Sequence, residues 1–264
     1  MNEEAARGLY IHVPFCRHFC SYCHFPRLRP DPVRMAAYRD LVLEELRLRG
    51  PFPGRVWDSL FLGGGTPSLM PDEVLSSWAE AVRRGLTWMP GAEWTLEANP
   101  EDVSPVRLRR WRSMGFNRLS LGIQSLDDRS LASLGRNHGA GQAILAVGLA
   151  RAEGWPSVSA DLLLGIGGQT PEGLEGHIRL LVEAGITHLS LYLLEQRGEI
   201  VAVDEDAREE ALAALYEAGM ATAGVLGMVP YETSNMSFPG YACRHNLHYW
   251  RGDAYLGLGL AAAS

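Results

Sequence analysis

Disulfides cannot be what holds this chain together, because 264 residues carry only four cysteines. That is not the cysteine density of a small secreted scaffold, so a reducing cytoplasmic compartment is the default. Long apolar runs are missing as well. No stretch approaches the ~20 residues of a membrane helix, and no apolar segment of the signal-peptide kind follows the polar residues 1–8. Positive charge is in the minority: 24 Lys and Arg stand against 31 Asp and Glu, for a net charge of −7. A nucleic-acid footprint normally shows as a basic domain or stripe, so no nucleic-acid partner is expected. The chain has no GK[ST] segment and no GxGxxG fingerprint, which removes the P-loop and dinucleotide-binding readings. It also has no low-complexity linker.

What is present is a large apolar reserve, 47% of residues, arranged in a βα rhythm. Strands are expected at 9–15, 56–62, 94–98, 118–123, 157–164 and 188–194. Helices are expected at 32–49, 71–86, 104–114, 126–134, 140–153, 172–184 and 204–223, several with apolar residues near a 3.6-residue period. Ser104 is a plausible N-cap with Pro105 in the first helical position. Residues 229–264 are Gly- and aromatic-rich with no clear helix. Six strand–helix units in one direction suggest an α/β fold, a partial (β/α)6 barrel, with active-site groups on the loops after the strands.

Residues 9–23 read LYIHVPFCRHFCSYC and hold three of the four cysteines, Cys16, Cys20 and Cys23, spaced CxxxCxxC. Soft thiolates suit iron–sulfur clusters, Cu(I) or zinc. A structural zinc normally takes four ligands, which leaves open a site completed by His12, His18 or His24. Three thiolates on a 4Fe–4S cluster would instead leave one iron without a protein ligand, a vacancy where chemistry happens.

Other groups fall at the same rim. Gly63, Gly64, Gly65, Thr66 and Pro67 follow the second strand, and successive glycines let backbone N–H groups approach a polar ligand. On its own such a turn is more often a tight connection. Glu97 ends the third strand and Gln124 the fourth. A carboxylate at a rim accepts hydrogen bonds from hydroxyl or ammonium groups, or is simply a solvated charge. Arg136 offers a planar fork for a carboxylate, or is a surface arginine. Asp161 lies in an apolar run, where a buried acid needs a partner.

The cysteine run resembles the signature of the radical S-adenosylmethionine (SAM) superfamily, in which the SAM amino and carboxylate groups chelate the open iron and an electron from the cluster cleaves SAM to methionine and a 5′-deoxyadenosyl radical. YIHVPFCRHFCSYCHF, FLGGGTPS, LEANP, RLSLGIQS, LGRNH, DLLLGIGGQT, HLSLYLLE, YETSNMSFPG and RHNLHYW, in that order, are similar to the oxygen-independent coproporphyrinogen III oxidase family, and most to its haem-chaperone branch, HemW. The resemblance implies a 4Fe–4S cluster on Cys16, Cys20 and Cys23, and SAM contacts at Tyr10, Tyr22, Gly64, Gly65, Thr66, Glu97, Gln124, Arg136 and Asp161. It implies a radical SAM core over 1–228 and an extension over 229–264. The true oxidases carry a further cysteine where Phe25 stands here, and HNLHYW matches the HNxxYW mark of the chaperones.

Imidazole is an ordinary axial haem ligand, so His245 and His248 are candidates for haem, with Cys243 beside them; buried histidines among packed aromatics are the plain alternative. The implied work is haem delivery to an acceptor protein. The rivals are a radical SAM enzyme, an oxidoreductase or methyltransferase needing an electron donor, and a zinc-binding structural module. Three features depart from the family. Gly167 replaces a usual proline, residues 257–264 lack the pattern GxGxGAHS, and the chain stops where members continue into a smaller C-terminal domain, so that accessory domain is expected to be absent.

Overall fold

The computed structural model describes residues 7–194 and 205–264. In chain order the elements are β1 (Gly8–Val13), α1 (Pro32–Arg49), β2 (Val56–Gly64), α2 (Asp72–Gly85), β3 (Thr87–Ala98), α3 (Pro105–Ser113), β4 (Arg118–Gln124), α4 (Asp128–Ser133), α5 (Ala140–Ala152), β5 (Ser157–Leu164), α6 (Pro171–Ala184), β6 (His188–Leu193), α7 (Glu205–Val225), β7 (Val229–Pro230), β8 (Asn235–Ser237), α8 (Arg244–Arg251) and β9 (Tyr255–Leu258). They fall into two compact units. One comprises Met1–Arg17, Phe25–Leu119 and Cys243–Ser264; the other, His18–His24 and Ser120–Ala242.

In the first unit the strand order is β3-β2-β1-β9, and every pairing is parallel. The register decides what each face carries, since alternate residues point to opposite faces. Leu9, Leu60 and Trp94 are in line, as are Ile11, Leu62 and Leu96. That face is apolar and fully buried, as are Met35 and Val42 of α1, Leu75, Trp78 and Val82 of α2, and Leu108 and Trp111 of α3. On the opposite face Tyr10, Phe61 and Thr95 are in line, with Gly8, Ser59 and Glu93 on one side of them and His12 beside Gly63 on the other. This second face is polar and aromatic, and it carries the candidate groups.

The second unit follows the same logic. Its order is β7-β8-β6-β5-β4, with β5 and β6 parallel and β8 returning antiparallel to β6. Val158, Ala160, Leu162 and Leu164 are buried, together with Leu174, Ile178 and Leu181 of α6 and Ala143, Val147 and Ala150 of α5. The other face carries Ser159, Asp161, His188 and Ser190, paired in register.

Local chemistry explains the helix starts. Asp31 accepts the Arg34 N–H at 2.8 Å ahead of Pro32, and Thr170 accepts the Gly173 N–H at 3.2 Å ahead of Pro171. Ser104 does the same for the Arg107 N–H at 3.3 Å ahead of Pro105. Removing such a cap costs about 1 kcal/mol. Ser104→Ala is therefore expected to lower stability by about that much, read as a shift of the urea midpoint.

Two expectations need correction. The third strand begins at Thr87, not at 94. The Pro90–Gly91 pair, with Gly91 at φ +70°, reads as a turn, but it sits in a strand whose register with β2 shifts between Trp57 and Ser59. Nor is 229–264 free of helix: residues 244–251 form α8. Its N-cap, Cys243, offers no side-chain bond, so the usual start signal is missing; its end is marked by Gly252 in the left-handed conformation. Residue 204, the expected start of the last long helix, lies outside the described residues.

Candidate functional site

In the first unit the loop after β1 folds directly against the loop after β2. The Cys16 N–H donates to Leu28 O at 3.0 Å, and Leu28 N–H to Pro14 O at 2.6 Å. Gly65 N–H donates to Val13 O at 2.8 Å, and a Cβ on Gly65 would lie 2.6 Å from that same oxygen. Gly64 takes φ +105° and a Cβ there would overlap the His12 ring, so glycine is required for both conformation and space. Its N–H donates to Glu97 Oε2 at 3.0 Å. The Thr66 hydroxyl lies 3.7 Å from Cys16 Sγ, as donor. Cys16, Gly64, Gly65, Thr66 and Glu97 are thus brought together by the C-terminal ends of β1, β2 and β3.

Tyr10 points its hydroxyl to His12 Nδ1 at 3.2 Å, and His12 Nε2 meets Pro26 O at 3.1 Å. A carbonyl only accepts, so Nε2 carries the proton and the Tyr10 hydroxyl donates to Nδ1. Burial pushes the His12 imidazole pKa down. Burial, then the Glu97 charge, pushes the Tyr10 phenol up, so it stays a donor. Nδ1 accepts from the Tyr10 hydroxyl in this arrangement, so a metal bound there would have to displace that hydroxyl.

In the second unit the Cys23 N–H donates to Cys20 O at 3.3 Å. Arg136 donates through Nη2 to Gly122 O at 2.7 Å and reaches Cys20 Sγ at 3.8 Å through Nη1. Tyr22 packs on Leu134, Leu163 and Ile166, and burial, opposed by Arg136, pushes its phenol up. Gln124 sits at φ +68°, a left-handed conformation that residues other than glycine rarely adopt. Asp161 finds its partners in the hydroxyls of Ser120, at 3.1 and 3.3 Å, and Ser159, at 3.4 Å. Ser159 in turn meets His188 Nδ1 at 2.8 Å, and His188 Nε2 meets the Tyr231 hydroxyl at 2.7 Å. Ser120, Ser159, His188 and Tyr231 are not among the residues that the sequence assigns a role; Ser120, His188 and Tyr231 lie in segments that carry the family resemblance, and Ser159 is signalled only by the polar alternation along β5.

The two histidines of α8 lie elsewhere. His245 meets Ser59 Oγ at 3.1 Å through Nδ1 and the Tyr249 hydroxyl at 2.8 Å through Nε2. His248 meets Asp58 at 2.7 Å and Asp253 at 3.1 Å. Both rings crowd Gly8, the first residue of β1, whereas Cys16 follows the last. Five residues of strand put about 17 Å between those ends. Burial, then His248, lowers the His245 pKa to about 3, and Asp58 raises that of His248. Cys243 is buried with its thiol pushed up to about 12 by burial, and it donates to Glu93 at 3.3 Å. That is an inert thiol.

All four cysteines are free thiols. Among the described residues no three His, Cys, Asp or Glu side chains converge as a ready-made metal site. The chemistry within each unit nevertheless suits iron–sulfur ligation: in the first, the Cys16 thiol lies beside the Thr66 donor and glycines packed where a Cβ would intrude, and in the second, the Cys20 thiol lies beside Arg136.

Comparison with known proteins bears on the same residues. The radical SAM superfamily profile matches residues 10–181. The heme chaperone HemW of Mycobacterium tuberculosis is 37% identical over 97% of this chain and 68% of its own length. Escherichia coli HemW is 36% identical over 97% of this chain and 69% of its own. A mouse mitochondrial protein, radical S-adenosyl methionine domain-containing protein 1, is 37% identical over 99% of this chain and 61% of its own. Among solved structures, the coproporphyrinogen III oxidase HemN of Escherichia coli, a radical SAM enzyme, aligns with a TM-score of 0.83 at 24% identity, over 98% of this chain and 64% of its own. That likeness shows the fold, a radical SAM α/β architecture with a partial barrel-type sheet. By its superfamily match and these identities, the chain belongs to the radical SAM superfamily, in the branch of the HemW proteins.

Proposed function

We propose that this protein holds a 4Fe–4S cluster on Cys16, Cys20 and Cys23, binds SAM with Tyr10, Tyr22, Gly64, Gly65, Thr66, Glu97, Gln124, Arg136 and Asp161, and serves as a haem chaperone in the reducing cytoplasm. The observation that carries this reading is the pairing of thiols with donors: Thr66 reaches Cys16 and Arg136 reaches Cys20. Donors to the sulfurs stabilise ligated thiolates and tune a cluster. A cluster with an open iron would supply the electron for reductive SAM cleavage. Gly64 and Gly65 keep side chains out of the loop, Glu97 holds the Gly64 N–H, and Asp161 presents a carboxylate already oriented by two serines. Its partners on this reading are haem, a haem-acceptor protein and, if SAM is turned over, an electron donor. Haem ligation by His245 or His248 requires a second state in which one imidazole leaves its present partners.

Anaerobic reconstitution with iron and sulfide, followed by spectroscopy with and without SAM, tests the cofactor part. Cys16→Ala, Cys20→Ala and Cys23→Ala are each expected to abolish the 4Fe–4S signal, and Cys243→Ala to leave it. A cluster that survives Cys20→Ala and vanishes with Cys243→Ala overturns the assignment. Haem titration and transfer to an apo-acceptor, scored against 5′-deoxyadenosine formation with substrate turnover, separate the chaperone from an enzyme. For haem, His245→Ala and His248→Ala are compared by Soret band and release rate. Unchanged values in both remove these histidines as ligands.

A further inference from the structure

Asp102 lies in the short helical turn Pro100–Asp102 just after β3, and its side chain is 1% exposed. One carboxylate oxygen pairs with Arg17, the residue after Cys16; the other accepts the Ser68 hydroxyl at 2.6 Å. Arg107 closes the arrangement. It donates to the Asp102 carbonyl at 3.2 Å, approaches the carboxylate at 3.9 Å and donates to Ser68 O. One buried acid therefore ties together the loop that carries Cys16 and the loop that carries Gly64, Gly65 and Thr66. The contact of Thr66 with Cys16 Sγ is a second link between the same two loops, two residues from Ser68 on one side and one from Arg17 on the other.

We propose that Asp102 is a positioning residue that sets the glycine loop against the cysteine loop, so that cofactor groups held by one are in reach of the other. The inference deepens the cluster-and-SAM reading and rests on it. A full charge is buried here at a site that touches no reacting group, and desolvated charges persist where two arginines and a hydroxyl satisfy them. Both arms reach backbone-anchored loops, so the geometry they fix is that between residues 16–17 and 66–68. Positioning of this kind matters because small displacements of bound groups cost large factors in rate and affinity.

The test uses the anaerobically reconstituted protein. Asp102→Asn keeps the shape and removes the charge. It is expected to keep its iron content, to bind SAM at least tenfold more weakly, and to lose most of the change that SAM produces in the electron paramagnetic resonance signal of the reduced cluster. Arg17→Gln and Ser68→Ala each remove one arm and are expected to weaken SAM binding severalfold. Val82→Ala, a buried position in α2, controls for stability: it lowers the melting temperature and leaves SAM affinity and the resonance signal as they were. If Asp102→Asn fails to fold, the two arm variants decide; parental affinity and signal in both overturn the proposal. A parent protein that binds no SAM overturns the underlying reading. A parent that binds SAM alongside an Asp102→Asn variant that binds it equally well overturns only the role of Asp102.

Discussion

Gly65→Ala is expected to destabilise the protein by about 3 kcal/mol and to cut the iron retained after reconstitution severalfold. The reason is backbone against backbone. The added Cβ would sit 2.6 Å from Val13 O and 2.9 Å from both Phe15 O and Pro14 C. Inserting a methyl group into close-packed surroundings typically costs about 1–3 kcal/mol, where a side chain can rotate away. Here no rotamer change relieves the clash, so the upper end applies. The segment that must move leads straight into Cys16, and the Gly65 N–H bond to Val13 O at 2.8 Å is lost with it. Gly167→Ala is the control: it is exposed and nothing lies within 4 Å of its added Cβ, so its effect should stay within about 0.5 kcal/mol. Urea midpoints and iron per chain measure both. A Gly65→Ala protein with parental midpoint and iron content would show that the close approach is not what selects glycine.

That glycine was legible from the sequence because a Gly-rich turn after a strand is a local signal, and so were the cysteines. Local signals also placed α1 and β5 at their observed residues and Ser104 at its cap. What the sequence did not disclose depends on register between distant segments. Arg17, Ser68 and Asp102 meet only because β1, β2 and β3 are parallel and end at one level; nothing in their spacing says so. His245 is the converse case. Two imidazoles among aromatics have the chemistry of haem ligands, and only the fold shows that Ser59 and Asp58, 186 and 190 positions away, already occupy ring nitrogens. The helix that carries them was missed for a related reason: without a capping side chain, it is held by packing and by those two hydrogen-bonded rings.

The same two histidines are expected to give stability opposite pH dependences. His245 is 1% exposed and neutral, its pKa lowered to about 3 by burial, then by His248 and Arg118. In the unfolded chain it takes up a proton near pH 6.5. Its contribution is therefore complete above that value and is lost as pH falls towards the folded pKa, on the order of 3 kcal/mol by pH 4. His248 is shifted the other way, first by its bond to Asp58 and then, against burial, by Asp253. A raised pKa stabilises fully below the unfolded value and fades as pH rises through the folded one. Around them, Glu93 accepts from the His245 N–H at 3.3 Å; burial pushes up the Tyr249 phenol, which contributes almost nothing between pH 4 and 9, and raises the Cys243 thiol to about 12, so that this thiol, which ionises near ~8.5 once unfolded, lowers stability only above about pH 8. His245→Asn should flatten the acid limb of the stability profile by close to one proton's worth of slope. His248→Asn should cost most below pH 6.5 and progressively less above it. Urea midpoints of the metal-free proteins from pH 4 to 9 at constant ionic strength provide the measurement. An acid limb unchanged by His245→Asn would mean that this imidazole is not held neutral against Ser59 and Tyr249.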